Sequence, residues 1–232
     1  MDYLLKKFLP RIEFDSYEDF FENFQINVPE AFNFGFDVVD EWARVEPGKR
    51  ALVWCDDHDH ERTFTFTDLM RLSNQAANAF RKLGIGKGDV VLCILRRRWE
   101  YWVCATALHK LGAILIPGTL QLTKKDIVYR GNAAQVCAVV CVNDPFVIEQ
   151  VEAAQPDIPS LKNKILVVEK REGWLDLNEE MEKFCLSNES IKVISIHLHS
   201  NNCGRHLCEI IIVNNRDEHG KIIVTTGSRV IL

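Results

Sequence analysis

The chain has 232 residues, of which 47% are hydrophobic, and a formal net charge of −5. This length can hold one large domain or two small ones. Charges of both signs are interspersed, so there is no basic stripe to neutralise phosphates, and we expect no nucleic-acid partner. The eight cysteines include no CxxC pair, which argues against a disulfide framework and favours buried thiols in a reducing compartment.

The first 46 residues are predicted to form a helical segment. Met1–Pro10 contains an apolar run that is too short for a secretory signal, and the acidic residues that follow are unlike a mitochondrial transit peptide. No apolar run reaches the length of a membrane span. We therefore expect a cytoplasmic protein. Aromatic residues at helical spacing predict helices over Asp15–Ala31 and Asn33–Trp42.

Residues 47–184 are predicted to form an α/β domain that opens with a hairpin. Its strands are expected at Ala51–Trp54 and Arg62–Phe66, paired across the polar loop Asp56–Glu61. The histidines and carboxylates of this loop are possible metal ligands, but they are consecutive and no other element supplies a ligand. The preferred interpretation is a solvated hairpin tip, and we predict no metal site.

Helices and strands alternate after the hairpin. Thr67 is predicted to cap a helix that ends at Gly84. The alternation favours a mostly parallel sheet with helices on both faces. The further predicted elements are strand Val90–Leu95, helix Trp99–Lys110, strand Ala113–Ile116, helix Thr123–Arg130 with a capping box between Thr123 and Asp126, strand Gln135–Val142, a helix beginning at Pro145, strand Lys164–Val168 and helix Leu177–Phe184.

Two features between these elements invite a functional interpretation. Gly84, Gly86 and Gly88 lie between a helix and a strand, whereas a dinucleotide fingerprint follows a strand, so they are predicted to be turn glycines. The cluster Arg96–Arg98 is interpreted as a solvated loop, with an anion contact as the alternative. In the helix after this cluster, the residues expected to face the core are Tyr101 or Trp102, Ala105, Leu108 and Leu111.

Several of these segments carry a resemblance to a known family. LGIGKGDVV at 83–91, the helix ending in KLGAI, and IPGTLQLTKKDIVYR at 116–130 resemble the N-terminal region of adenylate-forming acyl-CoA synthetases. The Pro-Gly-Thr-x-Gln sequence that begins at Pro117 is similar to the medium-chain branch. The resemblance covers roughly residues 32–184. It implies a ligase that joins a carboxylate to the α-phosphate of ATP, releases pyrophosphate and lets the CoA thiol displace AMP.

The resemblance also implies cofactors and one site residue. The family uses ATP, magnesium and CoA, and its other small-molecule substrate is a carboxylic acid, here expected to be a fatty or short- or medium-chain acid. Gln121 matches the glutamine of the family motif that lies near the CoA pantetheine, and its amide can hydrogen-bond that arm. The alternative is an ordinary polar residue on a strand-to-helix loop. No catalytic residue is predicted in this chain.

Residues 185–232 are predicted to be a divergent or frame-shifted, β-rich tail. This segment contains no aromatic residue, alanine or proline. Strands are expected at Lys192–Leu198 and Glu209–Val213, the second paired with Lys221–Thr226. The tail also holds a cluster whose spacing matches no familiar zinc-finger pattern, so we predict no zinc site. It consists of His197, His199, Cys203, His206 and Cys208.

The sequence lacks the loop that binds ATP phosphates in the resembled family. That loop reads about Thr-Ser-Gly-Thr-Thr-Gly-x-Pro-Lys, and the nearest match, Val224–Arg229, has neither the preceding Ser-Gly nor the following Pro-Lys. We therefore expect a chain truncated before the phosphate loop, inactive by itself and without a tightly bound cofactor. A non-catalytic binding or interaction module on the same scaffold is the alternative hypothesis.

Overall fold

The computed structural model describes residues 2–184, 213–216 and 222–225. One unit consists of residues 2–32 with the two short segments near the C-terminus, and a second unit begins at Asn33 and contains the rest. The predicted boundaries at 46/47 and 184/185 stay predictions. In the described parts of the chain, no helix is long and apolar enough to cross a membrane.

The chain follows an α/β order. The elements are α1 (Asp2–Phe8), β1 (Glu13–Phe14), α2 (Tyr17–Asn23), a π-helix (Gly35–Asp40), α3 (Glu41–Val45), β2 (Arg50–Cys55), β3 (Glu61–Thr65), α4 (Phe66–Lys82), β4 (Val90–Ile94), α5 (Glu100–Leu111), β5 (Ile114–Pro117), α6 (Lys124–Ala134), β6 (Val136–Cys141), α7 (Pro145–Ala154), a 3₁₀ turn (Gln155–Asp157), β7 (Asn163–Leu166), β8 (Leu175–Asp176), α8 (Leu177–Glu182), β9 (Val213–Arg216) and β10 (Ile222–Thr225).

A five-stranded parallel sheet forms the centre of the larger unit. Its strand order is β5-β4-β6-β7-β8, and all its pairs are parallel, with Val90 opposite both Ile114 and Val136. The chain thus runs outward from β4 to β5 and then crosses to the other side of β4 to form β6. Because such crossovers are right-handed, this reversal places α5 and α6 on opposite faces of the sheet.

Side chains of β4 alternate between the two faces. Val91, Cys93 and Leu95 belong to the core formed with α4, α5 and α8. Leu92 and Ile94 belong to the core formed with α6 and α7. All five are buried, as expected for a strand covered on both sides. The predicted parallel sheet with helices on both faces is confirmed.

The hairpin is confirmed, but the helix after it begins earlier than predicted. β2 pairs antiparallel with β3, and the N-cap of α4 is Thr65 rather than Thr67. The Thr65 hydroxyl accepts a hydrogen bond from the Asp68 backbone N–H (3.1 Å), and the Asp68 carboxylate accepts one from the Thr65 backbone N–H (3.0 Å). This reciprocal capping box satisfies two N–H groups at once, whereas Thr67 donates to the Pro47 carbonyl.

The face that α5 turns to the core is wider than predicted. Tyr101, Leu108 and Leu111 lie in or against the core as predicted, whereas Trp102 is 38% exposed. The buried positions also include Val103, Cys104 and Ala107. Cys104 and Ala107 are small, and they lie in the same core cluster as the fully buried alanines of α4, which allows the two helices to approach closely.

Helix ends elsewhere follow the predicted chemistry. Gly112 ends α5 in the left-handed conformation (φ 68°), and the predicted capping box of Thr123 and Asp126 opens α6. α6 continues to Ala134, four residues beyond the predicted end. Asp144 caps α7, which begins at Pro145 as predicted. The short strand Leu175–Asp176 had no counterpart among the predicted elements.

The smaller unit contains an antiparallel sheet in the order β1-β10-β9. In the tail, β10 lies within the predicted strand Lys221–Thr226 and pairs antiparallel with β9; of the predicted partner strand Glu209–Val213, only Val213 belongs to β9, and the rest lies outside the described residues. α2 is much shorter than the predicted Asp15–Ala31, and its Phe20 packs edge-on against the buried Phe14 (5.2 Å between ring centroids). The predicted strand Lys192–Leu198 and the histidine and cysteine cluster lie outside the described residues.

The segment before the hairpin also departs from the predicted helix Asn33–Trp42. It forms a π-helix over Gly35–Asp40, followed by the α-helical turn α3. The wider turn sits where Gly35 meets α5, since a Cβ atom on Gly35 would lie 2.5 Å from Cγ of Lys110. Close approach to Lys110 therefore requires glycine here.

Candidate functional site

The carboxyl end of the parallel sheet is the candidate site. β4 is flanked by β5 and β6, and the chain leaves it in opposite directions, so the loops that follow these three strands diverge. In open α/β sheets, ligands bind in the crevice at such a reversal. The loops concerned are residues 95–99, 118–123 and 142–144, which bring the predicted Gln121 and the arginine cluster to the same edge of the sheet.

The turn after β5 is held by tight packing at Gly118. Its N–H donates to the Cys93 carbonyl (2.8 Å), which continues the β4–β5 ladder by one residue. A Cβ atom on Gly118 would lie 2.9 Å from Cγ1 of Ile94 and 3.0 Å from Cδ1 of Leu122. Contacts below 3.0 Å force neighbouring atoms to move, so the glycine lets the turn lie directly against the sheet.

Gln121 lies in the turn that follows, and it is exposed. Its neighbour Leu122 is buried in the core on the α6 side of the sheet and anchors the turn. The Gln121 amide makes no hydrogen bond to any residue that the structure describes. Its donors and acceptor are therefore available to a ligand, and the contact with CoA stays a prediction.

The arginine loop after β4 is partly fixed by the protein. Arg98 donates two hydrogen bonds to the buried carboxylate of Glu100 (2.9 and 2.6 Å), so this half-buried arginine is committed to an ion pair within the protein. The Trp54 indole N–H donates to the Arg97 carbonyl (2.8 Å). Arg96 has a positive φ of 49°. The solvated interpretation therefore applies only to the exposed side chains of Arg96 and Arg97.

A shallow cavity of about 440 Å³ lies beyond the end of β6. Its lining includes Asn143, which donates to Glu169, and Glu152, which accepts hydrogen bonds from Arg171 (3.0 Å) and the Trp174 indole (2.8 Å). The hydrogen bond from Arg171, followed by that from Trp174, lowers the pKa of Glu152. These polar groups are hydrogen-bonded to one another, so they leave few donors or acceptors in the cavity for a ligand. The cavity therefore contributes only one side of the candidate site.

The polar hairpin tip forms an internal network. Asp56 accepts hydrogen bonds from the backbone N–H groups of His58 (2.9 Å) and His60 (3.0 Å), and its other oxygen lies 2.8 Å from Nδ1 of His60. The side-chain bond with His60 is the largest contribution to a pKa of Asp56 lowered to about 2. Within the described ranges, no three histidine, cysteine, aspartate or glutamate side chains are grouped to hold a metal ion.

The predicted turn glycines are confirmed. Gly84 and Gly88 have φ values of 82° and 84°, and the Gly86 N–H donates to the Asp89 carboxylate (2.8 Å). They close the connection between α4 and β4 at the amino end of the strand, away from the candidate site. In the tail, Val224 and Thr225 belong to β10, and the remainder of the predicted phosphate-loop match lies outside the described residues.

Sequence reasoning missed one buried polar cluster. The ammonium of Lys110 donates to Asp40 (2.6 Å), Asn74 (2.7 Å) and Ser73 (3.0 Å), and the lysine side chain is 0% exposed. Burial lowers the pKa of Lys110, and the neighbouring Asp40 carboxylate opposes this change. Since all three N–H donors are used, the cluster holds elements together and offers nothing to a ligand.

Comparison with known proteins identifies a family. Residues 39–197 match the model of the AMP-binding enzyme family. The chain is 33% identical over 203 residues to the mitochondrial acyl-coenzyme A synthetase ACSM3 of Mus musculus. The matched segment covers 82% of this chain and 35% of the relative. It is 35% identical over 175 residues to mitochondrial ACSM2 of Rattus norvegicus, with 72% and 30% covered. The chain thus spans about a third of the length of these relatives.

Solved structures share the fold. The anthranilate CoA ligase AuaEII in complex with anthranoyl-AMP superposes with a TM-score of 0.64 at 21% identity, over 73% of this chain and 31% of that one. Acetoacetyl-CoA synthetase from Streptomyces lividans superposes with a TM-score of 0.59 at 19% identity, over 65% and 25%. Together with the sequence relatives, these similarities favour the ligase interpretation over a stand-alone binding module.

Proposed function

We propose, because the chain belongs to the AMP-binding enzyme family, that it forms the N-terminal α/β part of an ATP-dependent acid–thiol ligase. The reaction of the whole enzyme would be carboxylic acid plus ATP plus CoA giving acyl-CoA, AMP and pyrophosphate. The substrate would be a fatty acid of short or medium chain length. The Pro-Gly-Thr-x-Gln turn at the carboxyl end of β5 carries this proposal.

The turn is built to present Gln121 to a ligand. Gly118 lies against Ile94 and fixes the start of the turn, while Leu122 is buried after it. Between these two anchors Thr119 and Gln121 are exposed, whereas Leu120 packs against the core, and the Gln121 amide makes no hydrogen bond to a described residue. An amide can donate to a carbonyl and accept from an N–H, which are the groups that a pantetheine arm offers.

A chimera tests this proposal in a whole enzyme. Residues 39–184 of this chain would replace the matching segment of mouse ACSM3, and acyl-CoA formation would be followed with butyrate, octanoate and palmitate. We expect the chimera to form acyl-CoA, with octanoate or butyrate preferred to palmitate. A folded chimera that forms no acyl-CoA would contradict the proposed function, and a preference for palmitate would contradict the substrate class.

Substitution in the chimera tests the role of Gln121. Q121A is expected to raise KM for CoA about two- to tenfold, because this change corresponds to the loss of one hydrogen bond. KM for ATP should stay unchanged. K125A, at an exposed position one turn further along the chain, is the matched control. Equal KM values for CoA in Q121A, K125A and the unsubstituted chimera would show that Gln121 does not contact CoA.

The 232-residue chain by itself is proposed to be inactive. The phosphate loop of the resembled family has no counterpart in this sequence, and the described residues therefore give no cradle for the ATP phosphates. ATP–pyrophosphate exchange is the direct assay. Exchange that depends on added octanoate would contradict this part of the proposal without affecting the family assignment.

Location in the cytoplasm is also proposed. It rests on the acidic residues that follow the first apolar run. The relatives ACSM3 and ACSM2 are, by contrast, named as mitochondrial enzymes. A C-terminal fluorescent fusion that accumulates in mitochondria would overturn the proposed location.

A further inference from the structure

We propose that the arginine loop after β4, together with Arg62 of the hairpin, binds the diphosphate group of a nucleotide substrate. The loop lies at the reversal of the parallel sheet, next to the turn that carries Gln121. The identity of the ligand as a nucleotide rests on the proposed function. The anion site itself rests on the contacts of Arg62, Arg96 and Arg97.

The hairpin holds the loop in place through aromatic residues. Trp54 lies opposite Arg62 in the hairpin and donates its indole N–H to the Arg97 carbonyl (2.8 Å). The Arg62 guanidinium lies over the rings of Phe64 (4.4 Å) and Trp99 (4.6 Å). The hairpin therefore contacts the arginine loop at two points, through Trp54 at the Arg97 backbone and through Arg62 at Trp99.

Among the described residues, the guanidinium groups of Arg62, Arg96 and Arg97 form either no ion pair or only a weak one. Among the described residues, Arg62 and Arg97 form no ion pair or side-chain hydrogen bond, and both are exposed. Stacking on aromatic faces uses the plane of the Arg62 guanidinium and leaves its N–H donors at the edge, which suit phosphate oxygens. Arg96 meets Asp57 at 3.8 Å, but both side chains are exposed, and such a pair contributes little.

The fourth arginine shows that the loop is organised. Arg98 makes a two-bond contact with the buried carboxylate of Glu100, and this contact fixes the start of α5. Arg96 adopts a left-handed conformation that costs a residue with a side chain more than it costs glycine. Backbone strain held by surrounding contacts is frequent at ligand sites. The protein thus fixes the backbone and leaves the side chains of Arg96 and Arg97 exposed.

Titration of the 232-residue protein with inorganic pyrophosphate tests the anion site. We expect saturable binding in the millimolar range by calorimetry, weakened about tenfold by R97Q and about tenfold by R62Q. R44Q removes an exposed arginine paired with Glu41 and is expected to bind as the unsubstituted protein does. Absence of saturable binding, or equal binding by R97Q and R44Q, would overturn the site.

Kinetics of the chimera with mouse ACSM3 distinguish the two nucleotide sources. A rise in KM for CoA with R97Q assigns the diphosphate of CoA, and a rise in KM for ATP assigns the phosphates of ATP. Unchanged KM for both would overturn the assignment to a nucleotide. A chimera that is inactive before substitution would overturn the proposed function instead, and the pyrophosphate titration would still decide whether the anion site exists.

Discussion

Removal of the buried ammonium of Lys110 should strongly destabilise the larger unit. Methionine at this position keeps the unbranched side chain, one atom shorter, but removes three hydrogen bonds, to Asp40, Asn74 and Ser73. Breaking a buried ion pair costs about 3–5 kcal/mol because the partner charge is left unpaired. The Asp40 side chain is 20% exposed, so water relieves part of this penalty, and we expect about 3 kcal/mol for K110M.

A double-mutant cycle isolates the charge from the packing. D40N alone replaces a charged acceptor by a neutral one, and in the K110M background it removes the unpaired carboxylate. The double variant should therefore lose less stability than the sum of the single variants, with a coupling of about 1–3 kcal/mol. S73A removes the longest of the three hydrogen bonds from Lys110 together with the bond from the Ser73 hydroxyl to the Met70 carbonyl (3.0 Å), and should cost about 1–2 kcal/mol.

Urea unfolding followed by tryptophan fluorescence is the assay. All five tryptophans lie in the larger unit, so the signal reports on the unit that contains Lys110. A lowered urea midpoint with an unchanged slope gives the loss of stability directly. A cost below about 1 kcal/mol for K110M, or additivity of K110M and D40N within about 0.5 kcal/mol, would refute the reasoning.

Three further predictions concern close packing at Gly118, burial of Cys141 and the hydrogen bonds of Asp56. G118A should cost about 1–3 kcal/mol in urea unfolding, because the added methyl group overpacks the turn against the sheet; an unchanged midpoint would contradict this. Burial raises the pKa of Cys141 to about 12, so peptide mapping after iodoacetamide treatment should find the exposed Cys55 modified and Cys141 unmodified. NMR titration should place the pKa of Asp56 near 2 and return it towards 3.8 in H60A.

The Asp56 shift also gives a pH dependence with a definite sign. Because the folded-state pKa lies below the ordinary value of 3.8, the hairpin tip is stabilised while Asp56 is ionised in both states, above about pH 4. This contribution is lost as the pH falls through about 2, where the folded form also takes up the proton. H60A should reduce that part of the acid dependence, since the backbone N–H groups of residues 58 and 60 still hydrogen-bond Asp56, and an unchanged profile would show that the His60 side chain is not the main cause.

The parallel sheet could be predicted because its signals are local. Val90–Ile94 is continuously apolar, and helices before and after it end at glycine. The capping box of Thr123 and Asp126 lies within four residues. Each of these patterns depends on residues close in the sequence, so an alternation of helix and strand emerges without knowledge of the tertiary structure.

The N-cap of α4 was mispredicted because two threonines compete. Thr65 and Thr67 both precede the apolar stripe, and Asp68 can complete a box only with the residue three positions before it. Thr65 is also the last residue of β3, with extended φ and ψ (−82°, 167°), which is the backbone conformation that an N-cap needs. The end of the hairpin therefore decides the start of the helix.

The Lys110 cluster could not be predicted from local pattern at all. Its acceptors lie about 70 residues away at Asp40 and about 36 residues away at Ser73 and Asn74. In the sequence, Lys110 resembles the polar end of an amphipathic helix with a favourable charge near the C-terminus. Only the packing of α4, α5 and the π-helix brings the three acceptors to one point.

The candidate site depends both on a local sequence motif and on contacts between residues that are distant in the sequence. Gln121 follows from a five-residue motif, whereas the environment of the arginine loop depends on Trp54 and Arg62, which lie more than thirty positions earlier in the chain. Sequence resemblance could therefore place one residue at the edge of the sheet. It could not show that Arg98 is tied to Glu100 while Arg97 is left exposed.

Packed and exposed residues alternate along the turn from Pro117 to Leu122, and the exposed ones include Gln121, which we propose contacts CoA. Gly118 and Leu122 pack against the sheet, whereas Thr119 and Gln121 are exposed. A change at Gly118 should thus lower both stability and ligand affinity, since the turn would shift as a whole. A change at Gln121 should lower affinity alone. Because the two effects separate within four residues, stability and KM measured on the same pair of variants distinguish a scaffold from a contact.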